Sequence, residues 1–283
     1  MLGGGQLGRM LGEAGAPLGH SFVFLEPADE CPAATSGKWI RAPFDDRAAL
    51  DDLASRCDVI TYEFENVPVA AVEALAARRP VHPSATSLAT AQDRLSEKWL
   101  FARLGIPTPA FEPVDDGTTL ASAVERIGVP AVLKTRRMGY DGRGQYLLRT
   151  PEDIAPALAA LGGEPLLLEA FVPFDRELSL IAARAGGGET AFYPVVENHH
   201  RGGILRLSRA PAPGLEPTLA SQARDHAGRI AAALDHVGVL ALELFQVGDR
   251  LFANEIAPRV HNSGHWTIEG AMTSQFENHL RAI

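Results

Sequence analysis

The sequence has only two cysteines, Cys31 and Cys57, and no apolar run long enough to cross a bilayer. The two thiols lack metal-ligand spacing, so a disulfide framework and a cysteine zinc site are excluded and a cytoplasmic location is expected. A membrane span needs roughly 18 apolar residues, and the N-terminus lacks the basic and hydrophobic stretches of a signal peptide. These absences predict a soluble protein with no membrane partner.

An excess of positive charge is also lacking, because 26 Lys and Arg face 35 Asp and Glu, for a net charge of -9. Such a balance excludes broad electrostatic attraction to nucleic acid. Any phosphate group must therefore meet basic side chains that cluster locally. The candidates are Arg136, Arg137 and Arg143, then Arg201, Arg206 and Arg209, and finally Arg259.

The length of the chain, 283 residues, predicts two or three compact units. The first third alternates short strands (1–2, 21–25, 58–64) with helices, which is typical of a parallel sheet covered by helices. Pro107 and Pro109 then interrupt regular structure. A compact unit of helices and strands follows from about residue 118, and longer strands (177–184, 190–197, 203–208 and a pair over 239–255) predict an α+β unit.

A glycine motif opens the chain, where Gly3, Gly5 and Gly8 fit G-x-G-x-x-G and Glu26 ends the second strand. Glycines at a helix N-terminus expose amides that favour an anion, so phosphate contact is the preferred interpretation. A nicotinamide dinucleotide site and simple strand-helix packing remain open alternatives.

A lysine at the end of an apolar strand gives the strongest local signal. Lys134 follows Pro130 to Leu133, and an unpaired charge there is costly unless an anion meets it. The loop from Gly139 to Gln145 contains three glycines whose amides could close over phosphate oxygens. Asp141 would repel phosphates, so it is predicted to hold a cation or a reacting amine or to face solvent.

Acidic residues lie within otherwise apolar strands. Glu169 needs a polar partner or an exposed position, and its strand could form one wall of an adenine pocket, with Glu177 accepting ribose hydroxyls. Glu243 and Glu255 suggest a magnesium site, because Mg²⁺ takes few carboxylates besides substrate phosphates. A three-residue turn centred on Asp249 would pair these two acids on one face, and we expect that turn rather than a two-residue one.

Taken together, the motifs resemble the ATP-grasp superfamily and, within it, the 5-(carboxyamino)imidazole ribonucleotide synthetases. The segments that carry the resemblance are Gly3 to Met10, Tyr62 to Val67, Gly139 to Gln145 and Glu255 to Thr267. The resemblance implies an α/β and α+β protein, in which a Rossmann-like, parallel-sheet (pre-ATP-grasp) domain over 1–92 precedes an ATP-grasp region over 93–283 with a small lid at about 118–172.

The resemblance also implies the ligands. ATP would contact Arg94, Lys134, Gly139, Tyr140, Asp141, Gly142, Arg143, Gly144, Gln145, Glu169, Ala170, Phe171, Val172, Glu177, His200, Asn254 and Glu255. Glu243 and Glu255 would hold Mg²⁺, and Tyr140, Asp141 and Arg259 would serve catalysis. The ribonucleotide would meet Gln6, Glu65, Arg259 and Asn262, whereas His261 and His265 are as readily ordinary loop residues.

The expected reaction is attack of bicarbonate on ATP to form carboxyphosphate, followed by carboxylation of the amine of aminoimidazole ribonucleotide. The resemblance makes a homodimer the expected assembly. Family members continue beyond the position of Ile283, with a lysine and an arginine near the substrate, so this chain is expected to bind ATP and turn over poorly. The alternatives are a formate-dependent glycinamide ribonucleotide transformylase, a dinucleotide-dependent oxidoreductase and a non-catalytic ATP-binding regulator.

Overall fold

A computed structural model describes residues 1–139 and 143–283. The N-terminal region contains helix α1 (Gln6–Gly15), strands β1 (Val23–Leu25) and β2 (Lys38–Ile40), and helices α2 (Arg47–Arg56), α3 (Val69–Ala76) and α4 (Ala85–Gln92). β1 and β2 are parallel, and isolated parallel bridges join Leu2 to both Leu25 and Tyr62, and Ile60 to Val81. The predicted parallel sheet is therefore confirmed, although residues 1–2 and 58–64 form bridges rather than strands and α4 was not expected.

The N-terminal glycines bring a carboxylate against the first turn of α1. Gly5 N and Gly8 N donate to the two oxygens of Glu63 at 2.6 and 2.9 Å. Gly3 has a φ of 91°, and a Cβ built on it would lie 2.6 Å from Glu63 Cγ, so only glycine fits. Glu26, which sits where a dinucleotide fold would place a ribose-binding acid, instead accepts from Gly4 N at 2.9 Å. These amides therefore bind carboxylates of the protein, and the expected phosphate contact is not made by them.

The second unit is a four-stranded antiparallel sheet. Helix α5 (Arg94–Arg103) leads into β3 (Phe111–Val114), α6 (Gly117–Ile127), β4 (Ala131–Thr135), β5 (Gln145–Leu148), α7 (Ile154–Leu161) and β6 (Leu166–Ala170), and the strand order is β3-β6-β4-β5. Residues such as Leu133 and Leu168 pack beneath α6 and α7, and the alternate residues form the opposite face. The sheet includes β3, so the unit begins before the expected residue 118.

The third unit is a larger sheet with apolar residues on both faces. Its elements are β7 (Arg176–Arg184), β8 (Thr190–Phe192), β9 (Val196–Arg201), β10 (Ile204–Arg209), α8 (Pro217–Ala233), β11 (Gly238–Val247) and β12 (Arg250–Ala257), followed by α9 (Thr267–Gly270) and α10 (Gln275–Ala282). Leu180 and Leu242 pack towards α8, whereas Ile181 and Ala241 pack towards α1 and α10. This double burial explains the near-continuous apolar runs of the two strands. The strand expected over 190–197 is divided between β8 and β9.

The hairpin of β11 and β12 differs from the expected geometry. Val247 pairs with Arg250, so the turn has two residues, and the three-residue turn at Asp249 was wrong. The register then shifts between the pairs Leu242–Ile256 and Leu244–Ala253. This bulge places both Asn254 and Glu255 opposite Glu243. Glu243 and Glu255 therefore lie next to each other as expected, but because of the bulge and not because of the turn.

Buried histidines connect the N-terminal region to the large sheet. His279 Nδ1 accepts from Val239 N at 3.1 Å, so its Nε2 donates to Thr61 Oγ1 at 2.8 Å. His236 Nε2 donates to Val239 O at 3.0 Å, and its Nδ1 lies 2.8 Å from Ser87 Oγ. Both rings use both nitrogens as neutral imidazoles, and protonation of His279 would break its hydrogen bond from Val239 N.

These histidines predict a loss of stability in acid. Burial lowers the pKa of His279 to about 3 and that of His236 to about 4, from an ordinary 6.5. The unfolded chain takes up protons first, so stability present above pH 6.5 is lost as the pH falls towards 4, by on the order of 3 kcal/mol per ring. Urea unfolding between about pH 7.5 and 4.5 should show a shallower loss for His279→Asn than for wild type. The exposed control His20→Asn should match wild type, and an equal slope for His279→Asn would contradict the prediction.

No helix within the described residues is long and apolar enough to span a membrane. Both cysteines are free thiols, with Cys31 buried and Cys57 partly buried. The thiols thus agree with the absence of a disulfide framework inferred from their number.

Candidate functional site

A cavity of about 680 Å³ lies between the open face of the β3-β6-β4-β5 sheet and residues of β7, β9, β10, β11 and β12 in the large sheet. Its walls come from all three units of the fold. The expected residues that line it are Glu65, Arg94, Lys134, Gly139, Arg143, Gln145, Glu169, Ala170, Phe171, Val172, Glu177, His200, Glu243, Asn254, Glu255, Arg259 and Asn262. Gly144 lies beside this wall between two lining residues. Tyr140, Asp141 and Gly142 lie outside the described residues.

One end of the cavity combines flat apolar walls with polar acceptors. Phe174 and Phe245 stack with ring centroids 4.7 Å apart and an interplanar angle of 5°. His200 Nδ1 lies 2.6 Å from Glu177 Oε2, and this hydrogen bond raises the pKa of His200. Glu169 Oε1 is buried without a hydrogen-bond partner among the described residues. Such an end suits an adenine ring and a ribose, which supply stacking surface and donors.

The adjoining wall of the cavity, on the other side of Glu169, is basic. Lys134 Nζ lies 3.0 Å from Glu169 Oε2, so the polar partner expected for Glu169 is this lysine. Burial alone would raise the pKa of Glu169, but the charges of Lys134 and Lys98 hold it at about 2. Arg94 Nη1 donates to Glu255 Oε2 at 2.7 Å and lies beside the glycine loop, where its Nη2 is 3.4 Å from Gly139 O. Phosphates entering here would meet both cations.

Two carboxylates face the cavity at the bulge of β12. Burial together with the nearby charge of Glu255 raises the pKa of Glu243 to about 8. Glu255 keeps a pKa below its ordinary value, because the charge of Arg94 outweighs the effect of burial. His261 Nε2 lies 3.2 Å from Glu243 Oε1 and is neutral, since burial and Arg259 lower its pKa to about 4. A divalent cation would relieve the repulsion between the two glutamates.

The side-chain oxygens at the bulge of β12 fit Mg²⁺, provided that substrate phosphates supply further ligands. No group of three His, Cys, Asp or Glu able to hold a metal occurs in the part of the chain that the structure describes. Glu243 and Glu255 are nevertheless adjacent, and Asn254 Oδ1 is buried with no partner within residues 1–139 and 143–283. Mg²⁺ commonly binds through one or two carboxylates and substrate phosphates, so this sparse set is sufficient.

Of the four residues expected to contact the ribonucleotide, the structure places three, Glu65, Arg259 and Asn262, at the cavity. Arg259 Nε donates to Glu65 Oε2, and Asn262 lies on the same wall of the cavity. The charge of Arg259 lowers the pKa of Glu65 against the effect of burial. Gln6 is exposed and is not among the described lining residues. Of the arginine clusters, Arg201 and Arg206 are exposed on the β9-β10 hairpin, and Arg136 pairs with Asp93 at 2.6 Å.

The sequence interpretation named Arg94 but missed Glu97 and Lys98 on the same face of α5. Arg94, Glu97 and Lys98, spaced three and four residues apart, all point to the bulged part of β12. Glu97 Oε1 accepts from Ile256 N at 2.6 Å, and Lys98 Nζ donates to Asn254 O at 2.7 Å. The charged residues Arg94, Glu97 and Lys98 at helical spacing were the available signal.

Comparison with known proteins divides the chain into an N-terminal region and a longer second region, and both contribute walls of the cavity. A family model described as the ATP-grasp domain matches residues 99–276, and one described as the ribonucleotide synthetase preATP-grasp domain matches residues 1–92. The N5-carboxyaminoimidazole ribonucleotide synthase of Pseudomonas aeruginosa is 55% identical over 283 residues, which are 100% of this chain and 78% of that protein. The chain belongs to the N5-carboxyaminoimidazole ribonucleotide synthase family. It is an ATP-grasp ligase, and the predicted fold class is confirmed.

Solved structures of the same family share the whole fold. The N5-carboxyaminoimidazole ribonucleotide synthetase of Thermus thermophilus has 58% identity and a TM-score of 0.95, covering 100% of this chain and 77% of that chain. The synthase of Aspergillus clavatus, in complex with ADP and 5-aminoimidazole ribonucleotide, has 36% identity and a TM-score of 0.91, covering 100% and 75%. A nicotinamide-dependent oxidoreductase is therefore not the appropriate assignment for the N-terminal glycines.

Proposed function

We propose that the chain carboxylates the amine of 5-aminoimidazole ribonucleotide, using ATP and bicarbonate through carboxyphosphate. The products are N5-carboxyaminoimidazole ribonucleotide, ADP and phosphate, and the reaction belongs to purine (IMP) synthesis. The observation that carries the proposal is one cavity whose lining combines stacked rings, the cations Lys134 and Arg94, the Glu243–Glu255 pair and Arg259. Relatives named for this reaction support it.

The described residues account for binding and charge neutralisation. The Phe174–Phe245 end would hold the adenine, and Lys134 with Arg94 would neutralise charge that develops as the terminal phosphoryl group moves to bicarbonate. Mg²⁺ held by Glu243 and Glu255 would act as a Lewis acid on the phosphate oxygens. Closure of the wall formed by β4, β5 and β6 would exclude water, which hydrolyses acyl phosphates.

The ribonucleotide would be held at the other end by Glu65, Arg259 and Asn262. Arg259 is fixed there by Glu65 and by its donation to Val260 O at 2.9 Å. We assign to Tyr140 and Asp141, on sequence grounds alone, the orientation of carboxyphosphate and amine. A homodimer and a cytoplasmic location complete the proposal, both resting on the resemblance to the family.

The test is ADP release from MgATP by the purified protein. Release should require both 5-aminoimidazole ribonucleotide and bicarbonate, because bicarbonate accepts the terminal phosphoryl group and continued turnover needs the amine to take up the carboxyl group and release phosphate. Formate with glycinamide ribonucleotide, the substrates of the alternative transformylase, should give no release above background. Release with formate instead of bicarbonate would transfer the assignment to that enzyme. ATP binding with no release under either condition would favour the non-catalytic alternative.

A further inference from the structure

Lys98 is a fully buried cation that lies behind the nucleotide end of the cavity. Its side chain is 1% exposed, and it extends from α5 between β12 and β6. Nζ donates to Asn254 O at 2.7 Å and lies 3.4 Å from Glu169 Oε2. Its surroundings exclude solvent, so its charge needs a permanent anionic partner.

Glu169 is shared by two lysines. In the β4-β6 pairing Val132 lies opposite Glu169, so Lys134, two residues on, is the diagonal neighbour on the same face. Lys134 Nζ approaches Glu169 Oε2 to 3.0 Å from the cavity side, and Lys98 approaches the same oxygen from the buried side. The chain has only three lysines, Lys38, Lys98 and Lys134, and two of them converge on this carboxylate.

Lys134 can pair either with Glu169 or with a nucleotide phosphate, and Lys98 affects which of the two it does. If a lysine moves from a buried carboxylate to a phosphate, the carboxylate is left without a partner, and an unpaired buried charge is costly. Glu169 is ionised, and with Lys98 behind it the carboxylate stays paired after Lys134 turns away. We propose that Lys98 is a positioning residue that retains Glu169 and thereby frees Lys134 for the nucleotide phosphates. The inference rests on the proposed use of ATP.

The proposal is tested by a double-mutant cycle of Lys98→Met and Glu169→Gln. Dissociation constants of ATP and of adenosine are measured with Mg²⁺ by competition against a fluorescent adenine nucleotide. The ratio of the two constants isolates the phosphate contribution, because changes in the adenine pocket affect both ligands. Lys98→Met should weaken ATP relative to adenosine roughly 10- to 100-fold. Glu169→Gln should change the ratio little, and the double variant should recover most of the loss.

The double-mutant cycle distinguishes an effect of the Lys98–Glu169 ion pair from a general effect of losing the positive charge of Lys98. If Lys98 acted only through its electrostatic potential, the effects of the two substitutions would add, and additive effects would overturn the proposal. An unchanged ratio in Lys98→Met would overturn it as well. Lys38→Met, the same change at the remaining lysine, is exposed and should match wild type. Lys98→Gln keeps a donor for Asn254 O without the charge, and it should reproduce the loss if Lys98→Met does not fold. A wild-type protein that fails to bind ATP would overturn both the proposed function and this inference.

Discussion

Glu243→Gln is expected to lower the rate of bicarbonate-dependent ADP release about 1000-fold, equivalent to roughly 4 kcal/mol of transition-state stabilisation. Glutamine has nearly the same shape but cannot offer the negative charge that a divalent cation requires. The variant should also be more stable than wild type without nucleotide, by about 1 kcal/mol at pH 8, because a buried carboxylate facing Glu255 is removed. Steady-state ADP release and thermal unfolding measure the two effects.

The opposite signs of these effects make the prediction specific. A variant that merely damaged the fold would lose both activity and stability, whereas a metal ligand is costly in the free protein and useful in the complex. Glu189→Gln makes the same substitution on the exposed turn between β7 and β8, and its activity and melting temperature should equal those of wild type. Full activity of Glu243→Gln over a Mg²⁺ titration would remove Glu243 from the metal site.

The sequence predicts the elements of this fold well where burial sets a strong pattern. β7 and β11 are apolar on both faces, and the strands expected over 177–184 and 239–255 are present. Residues 58–64 also read as a strand, yet only Ile60 and Tyr62 form bridges. The bulge in β12 could not be predicted, because a local shift in register depends on contacts with α5 rather than on alternation within β12.

The site illustrates the same limit. Sequence reasoning recognised that Glu169 needs a polar partner, but only the fold shows that Lys98 supplies one from α5. It also interpreted the amides of Gly5 and Gly8 as a phosphate site, which is reasonable for the motif alone. Glu63, 58 residues from Gly5 in the chain, occupies those amides instead. The role of each of these groups depends on a hydrogen-bond or ion-pair partner distant in sequence, and the periodicity of apolar residues does not identify such partners.

The pair Glu65 and Arg259 predicts a large effect that stability measurements can separate from catalysis. Arg259→Met would leave Glu65, which is 28% exposed at its side chain, without its partner, and it would remove the positive charge that also acts on Glu63 and Glu255. We expect a loss of about 3 kcal/mol in the free energy of unfolding, together with a rise of at least about 100-fold in KM for the ribonucleotide. Urea unfolding and the dependence of ADP release on ribonucleotide concentration measure these changes.

The double variant Glu65→Gln/Arg259→Met distinguishes a structural pair from a substrate contact. Removing both charges eliminates the unpaired carboxylate, so most of the lost stability should return. The raised KM should remain, because neither new side chain offers a cation or an ionised acceptor to the ribonucleotide. If KM returned to the wild-type value along with stability, Arg259 would act only by holding Glu65, and the ribonucleotide contacts would have to be sought elsewhere on the wall that Asn262 shares.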